Sequence, residues 1–219
     1  MEDLKNKIAA FLYKVGLSAD FITFVGLIFA FLAGLLIYED RFFYAAVLVL
    51  TSGFLDLMDG AVARVSKKAD KFGGVLDSSL DRYGDGFIFS GVLLYCLSYS
   101  KPIYALLTLS VLLGSFSISY VRARSECVIE KCKVGFWGRG ERLVYLALGL
   151  FFHNLGLVLW VLGVATHFTV FQRLFYTRQA LADKGLSLKT AVRNNAAYFV
   201  KCGVFFLLVL LFKIKTVRS

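Results

Sequence analysis

The sequence is short of the residues that mark soluble, stapled or repetitive proteins. Its 219 residues include one proline, two histidines and four cysteines, and only 18% are charged. With so little proline and no glycine period, a collagen-like chain is excluded. Disorder is excluded too, because disordered chains are rich in charge and poor in apolar residues. Cys96, Cys127, Cys132 and Cys202 lack the paired spacing of a zinc site or a disulfide framework and read as packing residues. His153 and His167 have no partner close in sequence, and Trp137 and Trp160 sit in or beside apolar segments, so all four read as packing or interface residues. The first apolar block has no small-residue cleavage site and runs on into further blocks, so it does not read as a removed leader.

Apolar residues are what the chain has in excess: 58% are hydrophobic and the mean hydropathy is +0.71. They fall in blocks of the ~20 residues that a helix needs to cross ~30 Å of hydrocarbon. Six blocks cover roughly 20–38, 42–64, 73–98, 102–123, 141–153 and 155–177. A possible seventh, at 196–212, is interrupted by Lys201. Residues 1–14 place Leu4, Ile8, Phe11 and Leu12 on one face among Lys5, Lys7 and Lys14, as in a helix lying in the interface. The expected fold is an all-α integral membrane bundle forming a single domain over 1–219. It has an interfacial helix, six core spans over 20–177, and a C-terminal extension over 178–219 with a possible extra hydrophobic helix.

Charge sets the expected orientation, since loops rich in Lys and Arg stay in the cytoplasm. Lys5, Lys7 and Lys14 precede the first block; Arg64, Lys67, Lys68 and Lys71 follow the second; Arg122, Arg124, Lys131, Lys133, Arg139 and Arg142 lie between the fourth and fifth. The alternate connections hold only Arg41, Lys101 or no cation. The protein is thus expected in the cell membrane with a cytoplasmic amino terminus. A net charge of +10 without a soluble basic domain points to lipid headgroups and phosphate-bearing substrates, not to nucleic acid.

The end of the second block reads Asp56-Leu-Met-Asp59-Gly60-Ala-Val-Ala63-Arg64, and after eight residues the third begins Gly73-Gly-Val-Leu-Asp77-Ser-Ser-Leu-Asp81. At about 100° per residue, Asp56, Asp59, Gly60, Ala63 and Arg64 share an arc of roughly 140° on one helix, and Asp77 and Asp81 are about 40° apart on the next. Two helix faces joined by a short connection therefore present four carboxylates. Unpaired, these would repel one another at a large desolvation cost. Hard divalent cations such as Mg2+, Mn2+ or Ca2+ remove that cost, and two close ions can share the cluster. Gly60 and Ala63 leave room beside it for a bulky ligand. Asp81 lies deepest of the four in its span; Asp85, one turn on, reads as its support.

At these residues the sequence resembles the CDP-alcohol phosphatidyltransferase family, with its signature D-x2-D-G-x2-A-R-x8-G-x3-D-x3-D met at every fixed position. The resemblance implies metal binding by Asp56, Asp59 and Asp77, with Asp81 as general base beside them and counted with the metal-site aspartates. It implies a CDP pocket of Asp56, Gly60, Ala63, Arg64 and Gly73, a two-metal Mg2+ or Mn2+ site, and a homodimer. Where family members often carry a Thr-Pro-Asn-type stretch, this chain reads Ser18-Ala19-Asp20-Phe21-Ile22-Thr23, and no role is assigned to it.

Arginines near membrane-embedded positions are costly enough to suggest function. Arg122, Arg139, Arg142 and Arg173 fall at the same expected depth as the aspartates, and guanidinium forks suit an acceptor that already carries a phosphate. These segments resemble the phosphatidylinositol-phosphate and archaetidylinositol-phosphate synthase branch, which implies inositol 1-phosphate as acceptor. The expected reaction transfers a phosphatidyl-type group from a CDP-lipid to that alcohol, releasing CMP at the cytoplasmic face. Glycerol 3-phosphate, as in a phosphatidylglycerophosphate synthase, or a soluble inositol giving a di-inositol phosphate, are the alternatives within the family. A divalent-cation transporter is the alternative outside it, disfavoured because such sites lie near the midplane between two gates.

Overall fold

A computed structural model describes residues 2–66, 71–132 and 134–183. The apolar segment at 196–212 and most of the C-terminal extension lie outside the described residues, as do Lys67, Lys68 and Lys133. Among the described residues the chain is all-helical, without strands: α1 Glu2–Lys14, α2 Ala19–Tyr38, α3 Phe42–Val65, α4 Lys71–Ser98, α5 Pro102–Glu126, α6 Arg139–Phe151 and α7 Leu155–Asp183.

Local chemistry accounts for the boundaries. The Ser18 hydroxyl accepts from the Phe21 N–H at 3.2 Å and Asp20 sits in the first turn, capping α2. Pro102 opens α5, where a missing N–H costs nothing. The connections after α2, α4 and α6 close in the same way. Asp40, Ser100 and His153 take positive φ of 63°, 52° and 52°. The following N–H then donates back five residues, Arg41 to Leu36, Lys101 to Cys96 and Asn154 to Gly149. These are Schellman-type ends, in which one left-handed residue lets the chain reverse at once into the next helix. His153 is explained by this turn and by its ring contact with Phe42.

Among the described residues, four helices are long and apolar enough to cross a membrane: Ala19–Tyr38, Phe42–Val65, Pro102–Glu126 and Leu155–Ala182. The protein is therefore a helical membrane protein. α4 is long, but Asp77, Asp81, Arg82 and Asp85 all fall within its first fifteen residues. α6 has 13 residues, about 20 Å at 1.5 Å each.

The described residues fall into two compact units, one lying within 2–117 and 137–166, the other within 118–136 and 167–183. In the first, α2 packs on α3 and α4, α3 on α6, and α1 on α3. Its core layers Ala30, Ala33 and Ile37 of α2 with Ala45, Ala46 and Val49 of α3, Ile88 and Val92 of α4, and Leu143, Leu146 and Leu150 of α6. Small residues predominate where helix backbones meet, as in lipid, where close packing replaces the hydrophobic effect as glue. Gly34 of α2 and Gly91 of α4 lie backbone to backbone, and a Cβ on either would strike the other helix. The outward faces are apolar instead of polar: Phe24, Ile28, Phe31 and Leu35 of α2 and Phe43, Val47, Leu50, Phe54 and Leu57 of α3 are all exposed.

α1 divides the apolar face read from its sequence. Ala9 and Leu12 pack with Ala61 and Val62 of α3, whereas Phe11 is 66% exposed. In the second unit, Arg173 of α7 is buried and donates from Nη1 to the Ile118 carbonyl at 2.6 Å and from Nε to the Val134 carbonyl at 2.9 Å. Thr177 bonds Ser125 at 2.7 Å.

Candidate active site

The packing of the first unit decides which side chains meet. α3 and α4 carry the signature aspartates, α2 packs against both, and α6 begins beside α3. Asp56, Asp59 and Asp77 are brought together, with one oxygen of each within 4.8 Å of the others. All three donors are hard anionic oxygens, and the Asp77 Oδ1 is buried without a hydrogen-bond partner. That donor set and spacing fit a divalent cation, and they do not fit a soft-metal centre.

Each aspartate is held differently. The Thr23 hydroxyl donates to Asp59 Oδ2 at 2.7 Å, reaching from α2 to the buried carboxylate on α3. Asp81 is not part of the trio; its Oδ1 lies 2.6 Å from Arg139 Nη1 and its Oδ2 3.3 Å from Arg82 Nη2. The same Arg139 Nη1 lies 2.8 Å from Asp56 Oδ1, and its Nε 3.2 Å from Asp85 Oδ1. Asp85 takes a second guanidinium on its other oxygen, Arg142 Nη2 at 3.0 Å, and both side chains are 2% exposed.

A cavity of about 810 Å³ opens beside the trio. Gly60, Ala63, Arg64 and Gly73 line it with Asp59 and Asp77, so four of the five residues expected in a nucleotide pocket share one wall system. Asp56 faces instead a cleft of about 10 Å³, with Asp59, Asp81, Gly84, Arg139 and Thr23. The large cavity is also lined by Ser18, Asp20 and Thr23, so the stretch to which the sequence assigned no role borders the site. Only the packing of α2 onto α3 reveals that contact.

The arginines expected at an acceptor phosphate are placed as follows. Arg139 and Arg142 belong to the first unit, with the former on Asp56, Asp81 and Asp85 and the latter on Asp85 and the Trp137 carbonyl. Arg122 and Arg173 belong to the second. Arg122 is half-exposed and paired one turn along α5 with Glu126 at 3.1 Å, and Arg173 is engaged with backbone carbonyls.

The chain is similar to known proteins over most of its length. The sequence model described as CDP-alcohol phosphatidyltransferase matches residues 17–172. Over 177 residues the chain is 35% identical to an archaetidylinositol phosphate synthase of Methanothermobacter thermautotrophicus, covering 77% of this chain and 87% of that one. The crystal structure of Mycobacterium tuberculosis phosphatidylinositol phosphate synthase with CDP-DAG bound matches with a TM-score of 0.72 at 31% identity, covering 80% of this chain and 94% of that one. The same enzyme in complex with manganese and citrate matches with a TM-score of 0.71 at 32% identity, covering 79% and 88%. A complete aspartate signature, a carboxylate trio beside a large cavity and a family match spanning most of the chain lead to one conclusion: the protein belongs to the CDP-alcohol phosphatidyltransferase family and is a membrane-embedded phosphotransferase.

Proposed function

We propose that the protein transfers a phosphatidyl-type group from a CDP-lipid to a hydroxyl of inositol 1-phosphate, releasing CMP. The carrying observation is the aspartate trio, two of whose members, Asp59 and Asp77, line the 810 Å³ cavity whose wall also holds Gly60, Ala63, Arg64 and Gly73. The acceptor is supported by the similarity to synthases of archaetidylinositol phosphate and phosphatidylinositol phosphate.

Asp56, Asp59 and Asp77 would hold the divalent cation, Mg2+ or Mn2+. When bound, that ion supplies charge neutralisation for the pyrophosphate oxygens of the donor. Gly60 and Ala63 leave the cavity wall open beside the trio, and Arg64 offers a guanidinium to phosphate oxygens at its mouth. Asp81 accepts the proton of the acceptor hydroxyl as its oxygen attacks the lipid-linked phosphorus; the bond to CMP breaks, and CMP leaves with the bridging oxygen. Of the arginines, Arg122 is the one most readily turned onto an acceptor phosphate, because an exposed i,i+4 pair holds it by little. Arg142 and Arg173 would first have to give up buried partners. We take α4 and α6 to complete six core spans with the four apolar ones, the site facing the cytoplasm.

The test is a CMP-release assay on purified protein with Mn2+, a CDP-lipid and a panel of acceptors. Inositol 1-phosphate should be used well and free inositol poorly. A preference for glycerol 3-phosphate or serine would overturn the acceptor while leaving the phosphotransferase intact.

A further inference from the structure

The carboxylates of this site already have a cation of their own. Nη1 of Arg139 lies within ion-pair distance of both Asp56 and Asp81, so one atom bridges a residue read as metal ligand and the residue read as base. Three features make this a built arrangement and not a chance contact. First, Arg139 opens α6, where the helix dipole disfavours a cation, so its position depends on the carboxylates it meets. Second, Asp85 is an anchor. It holds Arg139 through Nε, while Arg142 holds its other oxygen in a fully buried pair. Third, α4 makes room for the guanidinium by having no side chain at Gly84, where a Cβ would stand 3.2 Å from Arg139 Nη2.

We propose that Arg139 is the internal counter-ion of the metal site, neutralising Asp56 and Asp81 in the metal-free protein and competing with the divalent cation for Asp56. The inference rests on the reading that Asp56 is a metal ligand. Its physical ground is that clustered carboxylates in a membrane protein cannot all stay charged without cations. A guanidinium supplied by the chain holds Asp56, Asp81 and Asp85 together before metal arrives. Loading then exchanges one cation for another without leaving bare charge. Because Asp85 retains Nε, the guanidinium that lets go of Asp56 stays beside Asp81 instead of leaving the site. The chain thereby lowers its own metal affinity and gains a site that is preformed when empty.

Mn2+ affinity, measured by electron paramagnetic resonance and calorimetry on the full-length purified protein without substrates, tests this. Arg139→Gln should bind Mn2+ about tenfold or more tightly than wild type, since a charge-assisted contact no longer has to be broken. The metal-free variant should melt at lower temperature, and the rise in Tm on adding Mn2+ should widen. Arg139→Lys, whose ammonium cannot fork between two carboxylates, should fall between. Gly84→Ala keeps Arg139 but presses on its guanidinium, and should tighten Mn2+ by a smaller factor; it also serves if the Gln variant does not fold. Unchanged or weaker Mn2+ binding by folded Arg139→Gln or Gly84→Ala overturns the competition. Wild-type affinity in Arg139→Lys beside a tightened Gln variant reduces the effect to net charge and overturns the bridge. If wild type and Asp77→Asn bind Mn2+ equally, the metal reading of the trio itself is what fails.

Discussion

At the scale of single residues, the site separates carboxylates by what surrounds them. Asp56, Asp59 and Asp77 converge, whereas Asp81 is turned to Arg139 and Arg82. Replacing Asp56 or Asp77 by Asn should abolish CMP release and weaken Mn2+ binding, because loss of one anion removes both charge and a ligand. Metal-independent release by either variant would contradict the assignment. Asp81→Asn should instead lower kcat by roughly 10²–10⁴ with little change in CDP-lipid affinity, since proton transfer matters only on the way to the transition state. Calorimetry with the CDP-lipid separates the two cases. The Thr23 hydroxyl donates to Asp59, one of the three carboxylates proposed to hold the metal. Removing the donor that orients a ligating carboxylate commonly costs about 10–100-fold in metal affinity. Thr23→Val should show that loss in Mn2+ titrations, and Thr23→Ser should restore most of it.

At the scale of helices, the site depends on how closely α2 approaches α4. Gly34 and Gly91 set that distance, because neither backbone can withdraw without opening the layer of Ala30, Ala33, Ile88 and Val92. Gly34→Ala should therefore cost about 1–3 kcal/mol, the usual range for overpacking. It would appear as a lower Tm in detergent, with turnover falling as α2 carries Thr23 away from Asp59. Gly86→Ala, on the same α4 but with no neighbour within 4 Å of the added Cβ, is the control and should leave Tm within error. The charged half of α4 belongs to this scale as well. Asp77, Asp81 and Asp85 recur every four residues and so share one face, and it is on this face that α6 brings the guanidiniums of Arg139 and Arg142 to Asp81 and Asp85.

At the scale of the whole molecule, helices with exposed apolar faces, such as α2 and α3, carry a polar carboxylate site. The protein should partition with membranes and require detergent, and chelation with EDTA should stop CMP release reversibly, restored by Mg2+ or Mn2+. Arg122→Ala should raise the acceptor KM about tenfold while leaving CDP-lipid affinity unchanged, since a charge-assisted bond is worth ~1.5–3 kcal/mol. Arg173→Ala should act on stability first, because it frees two backbone carbonyls, of Ile118 and Val134, that its guanidinium now satisfies. A fall in Tm without an acceptor effect would separate the two arginines.

Much of this was legible in the sequence because the determinants are local. The helical spans follow from blocks of about twenty apolar residues. The aspartate spacing depends only on the 3.6-residue turn, so Asp56 and Asp59 share a face before any tertiary contact forms. What the tertiary structure alone decided is which residues from distant segments meet. Thr23 finds Asp59 across 36 residues and Arg139 finds Asp85 across 54. No periodicity encodes such pairs; they arise when α2 and α6 pack against the signature helices. Arg139 shows the difference most clearly. In sequence it reads as one of four flanking cations free to meet a phosphate, whereas in the fold three carboxylates surround it. A buried cation takes the nearest anions, and which anions are nearest is settled by helix packing.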